Sequence, residues 1–191
     1  MHTYKGRMKK ICLCFLKLFH YKVDMLNIPK EKKYVLVFAP HTSWTDFAVG
    51  KIALTAMGVK TTILVKKELF FFPLGNFLTY IGGYPVDRKN TKNLTEKIAQ
   101  HIREKEELIF LISPEGTRKR VETWKRGFYH IAQKANVPIG LAYLDYRERK
   151  GGIGPIYYPT GNYEKDLQEI QKFYYGMKGR REGRFYLEEK E

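Results

Sequence analysis

The chain has 191 residues, enough for one domain with a buried core and a pocket of substrate size. Hydrophobic residues make up 43% of it and aromatic residues 15%, which excludes an intrinsically disordered chain. The formal net charge of +15 indicates a protein that attracts polyanions, but charge alone does not choose among nucleic acids, anionic bilayers and phosphorylated substrates.

The N-terminal segment, residues 1–28, is predicted to contain an amphipathic helix ahead of the main domain. Residues 7–19 set a wide apolar face beside a narrow stripe of Lys10 and Lys17, a pattern that suits a helix lying on a bilayer and equally a helix packed on the domain. Its cysteines, Cys12 and Cys14, are too close for an easy mutual disulfide, which favours a reducing compartment. Neither a signal peptide nor a transmembrane helix is predicted.

Residues 29–191 are predicted to form the main domain, in which short apolar runs alternate with amphipathic segments. Strands are predicted at 34–39, 59–65, within 82–88, at 108–112, 137–144 and 153–158, and helices at 46–57, 94–107, 128–135 and 163–177. Residues 149–152 are predicted to form a hairpin turn, and the charged residues beyond 179 are predicted to fray. This order predicts an α/β domain with a mixed, mostly parallel central sheet flanked by helices.

His41 and Asp46 directly follow the first strand predicted for this domain. If the chain turns into a helix there, both side chains come back toward one face, and a carboxylate on one ring nitrogen leaves the other nitrogen free to take a proton. The spacing therefore suggests a general base and its orienting acid. A His-x4-Asp pair is common by chance, so this hypothesis depends on the other motifs.

Two charged strings also follow predicted strands. Residues 114–118, Pro-Glu-Gly-Thr-Arg, combine a glycine where the backbone must turn tightly with an arginine whose planar fork can hold a phosphate. Arg88 ends a shorter strand in the same way. Because ligands bind outside the carboxyl ends of strands in open α/β sheets, both strings are candidate site elements.

Several aromatic side chains have more than one interpretation. Trp44 can line the pocket or pack. The four phenylalanines of the segment 69–81 can line an acyl-chain tunnel, dip into lipid or fill the core, and core packing is favoured for at least half of them. These are Phe70, Phe71, Phe72 and Phe77.

Four motifs together resemble the blocks of the glycerolipid acyltransferase family, which includes the 1-acylglycerol-3-phosphate acyltransferases. They are His41-x4-Asp46, residues 83–88 (Gly-Tyr-Pro-Val-Asp-Arg), residues 114–118 and residues 137–139 (Val-Pro-Ile). The resemblance covers more than half the chain in matching order and spacing. It implies transfer of a fatty acyl group from acyl-CoA or acyl carrier protein to the free hydroxyl of a lysophospholipid, above all 1-acylglycerol-3-phosphate, giving phosphatidic acid.

The resemblance also implies a role for each matching residue. His41 would take the proton of the acceptor hydroxyl, and Asp46 would orient the ring and stabilise the imidazolium. An acyl-donor contact would fall to Pro138, although Gly140 and Leu141 depart from the family's more usual continuation. Contact with the acceptor's glycerol phosphate would fall to Arg88, Glu115, Gly116, Thr117 and Arg118. No metal and no cofactor is expected, since the acyl donor is a co-substrate.

The expected partners are an anionic membrane surface, the lysophospholipid acceptor and acyl-CoA or acyl carrier protein, with the protein lying peripherally on the cytoplasmic face of the membrane. The acceptor can also be another lyso-lipid, such as a lyso-amino-acid lipid. From a different class, the high charge suits a basic module that binds nucleic acid or membrane; the basic residues are spread along the chain without a nucleic-acid motif, so no nucleic-acid partner is expected. A serine hydrolase is disfavoured because the sequence has no G-x-S-x-G elbow. A metalloenzyme is disfavoured because its histidines and cysteines are not spaced as metal ligands.

Overall fold

The computed structural model describes residues 2–25, 27–87 and 93–187, with side chains from residue 6 onward. Its helices are α1 (His2–Leu18), α2 (Trp44–Met57), α3 (Leu74–Tyr80), α4 (Leu94–Glu104), α5 (Gly127–Ala135) and α6 (Tyr163–Lys172). Its strands are β1 (Lys22–Asp24), β2 (Lys33–Ala39), β3 (Thr61–Lys66), β4 (Gly83–Val86), β5 (Leu108–Ile112), β6 (Ile139–Asp145) and β7 (Lys150–Tyr157). The predicted strands and helices are present, with ends shifted by a few residues.

The strands form one sheet in the order β1-β7-β6-β2-β5-β3-β4. Every neighbouring pair is parallel except β6 and β7, which are antiparallel. This confirms the predicted α/β class with a mixed, mostly parallel sheet. β2 lies at the centre of the sheet, and its apolar run is buried on both faces, as a continuous hydrophobic strand in a parallel sheet requires.

Helices cover both faces of the sheet, and each face has its own core. Alternate residues of β2 divide between them because successive side chains of a strand point to opposite faces. Val35 and Val37 pack in the cluster that contains α4, α5 and α6, whereas Leu36 and Phe38 pack in the cluster that contains α2. β2 is therefore anchored from both sides, and the loop that follows it starts from a rigid point.

Helix α1 packs on the domain and also leaves an apolar face exposed. Cys12 and Leu16 are buried in a small cluster against Ala53 and Ala56 of α2. Another side of the helix and the residue after it present large apolar side chains to the surface: Ile11, Phe15, Leu18 and Phe19. The structure therefore shows the packing of this segment on the domain, and it also shows an exposed apolar face that could lie on a bilayer. The boundary between residues 1–28 and 29–191 stays a prediction. In the part of the chain that is described, no helix has the length and apolar character needed to cross a bilayer.

The aromatic segment before β4 differs from the prediction. Phe71, Phe72 and Phe77 are exposed, Phe72 by 84%, and only Phe70 is half-buried. The core assignment favoured for at least half of these rings is therefore wrong for three of the four. The physical reason is position, because α3 lies beside β4, the last strand in the order, where no described element covers its outer side.

Two predictions about the C-terminal third are also wrong. Residues 150–152 are not a turn; they are the start of β7, where Gly151 and Gly152 pair with β1 on one side and β6 on the other. The residues beyond 179 do not fray over the described range, which extends to 187. They pack along the carboxyl edge of the sheet, with Phe185 buried and the Arg181 backbone N–H donating to Thr42 Oγ1.

Candidate active site

The candidate site lies where three parallel strands end side by side. β2 is flanked by β5 and β6, and all three run in the same direction, so their carboxyl ends meet at one edge of the sheet. The loops that leave this edge carry His41 after β2, Glu115 after β5 and Tyr146 after β6. The structure thus brings together two of the predicted strings and adds a tyrosine.

The first turn of α2 fixes the position of Asp46. Ser43 caps the helix, and Asp46 occupies the third helical position, where the two residues form a reciprocal capping box. Asp46 Oδ2 accepts the backbone N–H groups of Ser43 at 2.6 Å and Thr42 at 2.5 Å. These bonds use one carboxylate oxygen as a helix cap, so the side chain has little freedom to turn.

The other oxygen of Asp46 has a partner from a distant part of the chain. The Tyr146 hydroxyl donates to Asp46 Oδ1 at 2.7 Å, and the carboxylate is fully buried. Burial alone would raise the pKa of Asp46, but the contacts with His41 and Tyr146 and the backbone N–H bonds outweigh it and hold that pKa below its usual range. Asp46 is therefore a buried anion at neutral pH, oriented from both sides.

His41 lies between two carboxyl groups. Its Nδ1 is 3.5 Å from Asp46 Oδ2, longer than a good hydrogen bond, and has no closer partner among the described residues. A proton on Nδ1 facing Asp46 leaves Nε2 as the basic nitrogen, and about a quarter of the side chain is exposed.

Glu115 holds the backbone of His41. The carboxyl group is 1% exposed, and its Oε1 accepts the His41 backbone N–H at 2.8 Å. Burial raises the pKa of Glu115 to about 8, with the charge of Asp46 adding to the rise and the bond from His41 opposing it. Glu115 is therefore mostly protonated at neutral pH, and it ties the loop after β5 to the loop after β2.

Arg118 stands beside the His41 loop through a stacking contact. Its guanidinium carbon is 3.9 Å from the centre of the Trp44 ring, which is itself 77% exposed. Gly116 makes the tight turn before it with a φ of +65°, a backbone conformation that residues with a side chain rarely adopt. Thr117 is half-buried and accepts the Lys119 backbone N–H. Trp44 thus contacts Arg118, the candidate residue for binding the acceptor phosphate.

One predicted site residue, Pro138, is not part of this group, and another, Arg88, lies outside the described residues. Pro138 is buried at the opposite end of β6, where its carbonyl accepts the Val35 backbone N–H at 3.0 Å. β6 runs from Ile139 to Asp145, parallel to β2, so Pro138 precedes it at the edge of the sheet opposite to His41. Its donor contact stays a prediction, as do the roles of the other predicted residues.

Sequence reasoning missed Thr42, Ser43, Tyr146 and the C-terminal segment. Ser43 could have been found, because Ser-x-x-Asp at the start of a helix is a capping-box signal. Tyr146 gave no local signal, since it follows Asp46 by 100 positions. Among the described residues, no group of histidine, cysteine, aspartate or glutamate side chains could hold a metal ion.

A sequence model of the family described as Acyltransferase matches residues 21–140, which is more than half of the chain. The chain belongs to the Acyltransferase family. The match contains the His41 and Glu115 loops and ends within β6, so residues 141–191 lie outside it.

Five curated relatives of this acyltransferase carry the name 1-acyl-sn-glycerol-3-phosphate acyltransferase, and a sixth, from Schizosaccharomyces pombe, is named an uncharacterized acyltransferase. The protein from Cocos nucifera is 35% identical over 85 residues, which cover 41% of this chain and 28% of that protein. The protein from Bacillus subtilis (strain 168) is 30% identical over 115 residues, which cover 59% of this chain and 56% of that protein. The chain therefore matches between about a quarter and just over half of these relatives' length.

A solved structure has the same fold. It is the crystal structure of the 1-acyl-sn-glycerophosphate (LPA) acyltransferase, PlsC, from Thermotoga maritima, with a TM-score of 0.64 and 19% sequence identity. The match covers 88% of this chain and 76% of that one. At this identity the likeness concerns the fold alone.

Proposed function

We propose that this acyltransferase moves a fatty acyl group from a thioester donor to the free hydroxyl of a lysophospholipid, with 1-acyl-sn-glycerol-3-phosphate as the leading acceptor. The observation that carries the proposal is the arrangement around His41, whose ring faces the buried Asp46 anion and whose backbone is held by Glu115. The names of the relatives support the choice of acceptor.

The proposed reaction is a direct transfer. His41 Nε2 takes the proton of the acceptor hydroxyl as its oxygen attacks the thioester carbonyl, and the imidazolium is stabilised by Asp46. The tetrahedral intermediate then collapses, the carbon–sulfur bond breaks, and the leaving thiolate takes the proton from His41. Atoms and charge balance without a covalent enzyme intermediate.

The proposal is tested by incubating the purified protein with palmitoyl-CoA and lysophosphatidic acid in phospholipid vesicles. Mass spectrometry of the extracted lipids should detect phosphatidic acid. Parallel reactions with lysophosphatidylethanolamine and with a lyso-amino-acid lipid rank the acceptors. If none of these acceptors is acylated with either palmitoyl-CoA or palmitoyl-acyl carrier protein, the proposed function is wrong.

Arg118→Gln is expected to raise the KM for lysophosphatidic acid by about 10- to 100-fold, because a charge-assisted bond to phosphate is lost. The kcat at saturating acceptor should change much less. Acceptor titrations at fixed palmitoyl-CoA measure both constants. Arg103→Gln is the matched control, since Arg103 pairs with Glu96 at the surface of α4.

Monoacylglycerol, which has no phosphate, sharpens the test of Arg118. Any slow acylation of this acceptor should be equally fast in the wild type and in Arg118→Gln. An equal loss with both acceptors would show that Arg118 acts on the fold or on the donor rather than on the acceptor phosphate.

We further propose that the protein contacts the cytoplasmic face of an anionic membrane through its exposed apolar side chains. The apolar side chains of α1 and of the aromatic segment can insert at the boundary between lipid headgroups and acyl chains, and the net charge of +15 attracts anionic headgroups.

The double variant Phe71→Ser/Phe72→Ser should weaken binding to phosphatidylglycerol vesicles, measured by sedimentation, by about tenfold or more. Tyr158→Ser changes an exposed ring elsewhere and should bind like the wild type; unchanged binding by the double variant would contradict the role of the aromatic segment.

A further inference from the structure

A basic cavity of about 440 Å³ opens at the same edge of the sheet as the candidate site. Its wall comes from the loop after β5, the turn after β6 and the C-terminal segment, here residues 178–187. Its cationic lining consists of Arg120, Arg147, Lys178, Arg180 and Arg181, and Glu182 is the carboxylate among the lining residues. This set of side chains lies almost wholly outside the stretch that the family model matches.

Backbone hydrogen bonds hold the C-terminal segment in place, so the backbone that forms this wall of the cavity has a defined position. The Tyr146 backbone N–H donates to the Lys178 carbonyl at 3.0 Å, and the Lys178 N–H donates to the buried carboxylate of Asp145 at 3.2 Å. Gly179 passes so close to Thr42 that any Cβ at this position would collide with the threonine side chain. The segment therefore approaches the His41 loop at a fixed point.

Two hydrogen bonds connect the wall of the cavity with the segment that carries His41 and Asp46. Tyr146 lines it and donates its hydroxyl to Asp46. The Arg181 backbone N–H donates to Thr42 Oγ1 at 3.2 Å, and Thr42 is the residue after His41. The wall of the cavity is thus linked to the His41 loop and to Asp46 through Thr42 and Tyr146.

The cations of the cavity are poorly neutralised. Arg147 pairs with Glu148 at 3.2 Å, a contact in which both side chains are largely exposed. Arg120, Lys178, Arg180 and Arg181 form no ion pair with any carboxylate of the described residues. Like charges held around one concavity repel each other, and a ligand that carries several negative charges relieves that repulsion.

We propose that the basic cavity binds the pyrophosphate and ribose phosphate groups of an acyl-CoA donor. The proposal rests on the proposed function and narrows its donor. A concave site of this volume is typical of small-molecule pockets. Arg118, stacked on Trp44, is the separate candidate for the single phosphate of the acceptor, whereas several cations around one cavity match a ligand with several phosphates. An acidic carrier protein would instead need a broad, open surface.

Direct binding tests the cavity without any turnover. Adenosine 3′,5′-bisphosphate, which carries phosphates of the CoA nucleotide and no acyl chain, is titrated calorimetrically into the wild type and into Arg180→Gln/Arg181→Gln. The dissociation constant should rise about tenfold or more in the variant, and its dependence on salt should weaken. Arg103→Gln/Arg126→Gln removes the same charge from surface ion pairs elsewhere and should stay within about twofold of the wild type.

Kinetics identify which substrate uses the cavity. In Arg180→Gln/Arg181→Gln the KM for palmitoyl-CoA should rise about tenfold, while the KM for lysophosphatidic acid should stay within about twofold. The rate with palmitoyl-pantetheine, a thioester without phosphates, should not change. A rise in the acceptor KM alone, a defect with palmitoyl-acyl carrier protein alone, or equal losses with both small thioesters would overturn the proposal.

A second pair on other loops guards against a local folding defect. Arg120→Gln/Arg147→Gln should produce the same shifts, because these arginines reach the cavity from the loops after β5 and β6. If the protein binds adenosine 3′,5′-bisphosphate through these arginines but acylates no lipid, the proposed function fails and the cavity stands. If it acylates lysophosphatidic acid while none of the arginine variants alters binding or donor KM, the cavity proposal fails alone.

Discussion

His41→Ala is expected to lower kcat for acyl transfer by about 10²- to 10⁴-fold, because the acceptor hydroxyl loses the base that takes its proton. The ring is partly exposed and its Nδ1 makes no close hydrogen bond, so the free energy of unfolding should change little. Initial rates at saturating substrates and thermal unfolding measure the two effects. His130→Ala, at an exposed position on α5, is the control, and wild-type turnover in His41→Ala would refute the mechanism.

Asp46→Asn should lose activity and also stability, which distinguishes it from the histidine variant. Both oxygens of Asp46 accept hydrogen bonds, one from the Thr42 and Ser43 backbone amides and the other from the Tyr146 hydroxyl. An asparagine has one acceptor oxygen, so its amide would face at least one donor in a buried site. A fall in melting temperature together with a fall in kcat is expected for Asp46→Asn but not for His41→Ala.

Glu115 is expected to make the free energy of unfolding fall as pH rises. In the folded protein the Glu115 carboxyl group keeps its proton up to about pH 8, whereas in the unfolded chain it releases that proton near the usual pKa of 4.5. Between these values the folded state binds more protons, so stability decreases with pH across that window and levels off above it. Burying this carboxylate in ionised form is thus expected to cost a few kcal/mol at high pH.

Glu115→Gln isolates this effect, because every other titrating group is shared with the wild type. The difference in unfolding free energy between the variant and the wild type, from urea melts, should shift in favour of the variant from about pH 5.5 to about pH 9. The glutamine carbonyl can still accept the His41 backbone N–H, so activity near neutral pH should persist. Glu115→Ala leaves that N–H without its partner and should lose most of the activity. Parallel pH curves for the wild type and Glu115→Gln would show that Glu115 does not titrate in this range.

The fold was largely predictable from the sequence because its signals are local. The apolar run of β2 needs no partner to be recognised as a buried strand, and the strings at His41 and Glu115 could be placed at strand ends by the same logic. Parallel strands bring their carboxyl ends to one edge, so the meeting of these two loops followed from the predicted topology.

What the sequence did not show depends on contacts between distant segments. Tyr146 donates to Asp46 across 100 positions, and Arg181 donates to Thr42 across 139, with no motif to announce either bond. The charged composition beyond residue 179 suggested fraying because no local pattern indicated that the Arg181 backbone N–H has a buried acceptor in Thr42. The exposed rings of Phe71 and Phe72 were misjudged for a related reason: apolar character predicts burial only when another element lies over the residue.

The hydrogen bonds around His41 also bear on how the protein folds. The loop that carries it is bonded to residues 74, 100 and 139 positions further along the chain, while parallel strand pairing already demands long-range closure. Contacts of such high contact order form slowly, after loop-closure entropy has been overcome. The geometry of the candidate site is therefore expected to be among the last features of the native state to form. A nascent chain that has folded as far as β6 would hold the central strands of its sheet and most of its core but would not yet have the backbone support that residues 178–187 give to Thr42.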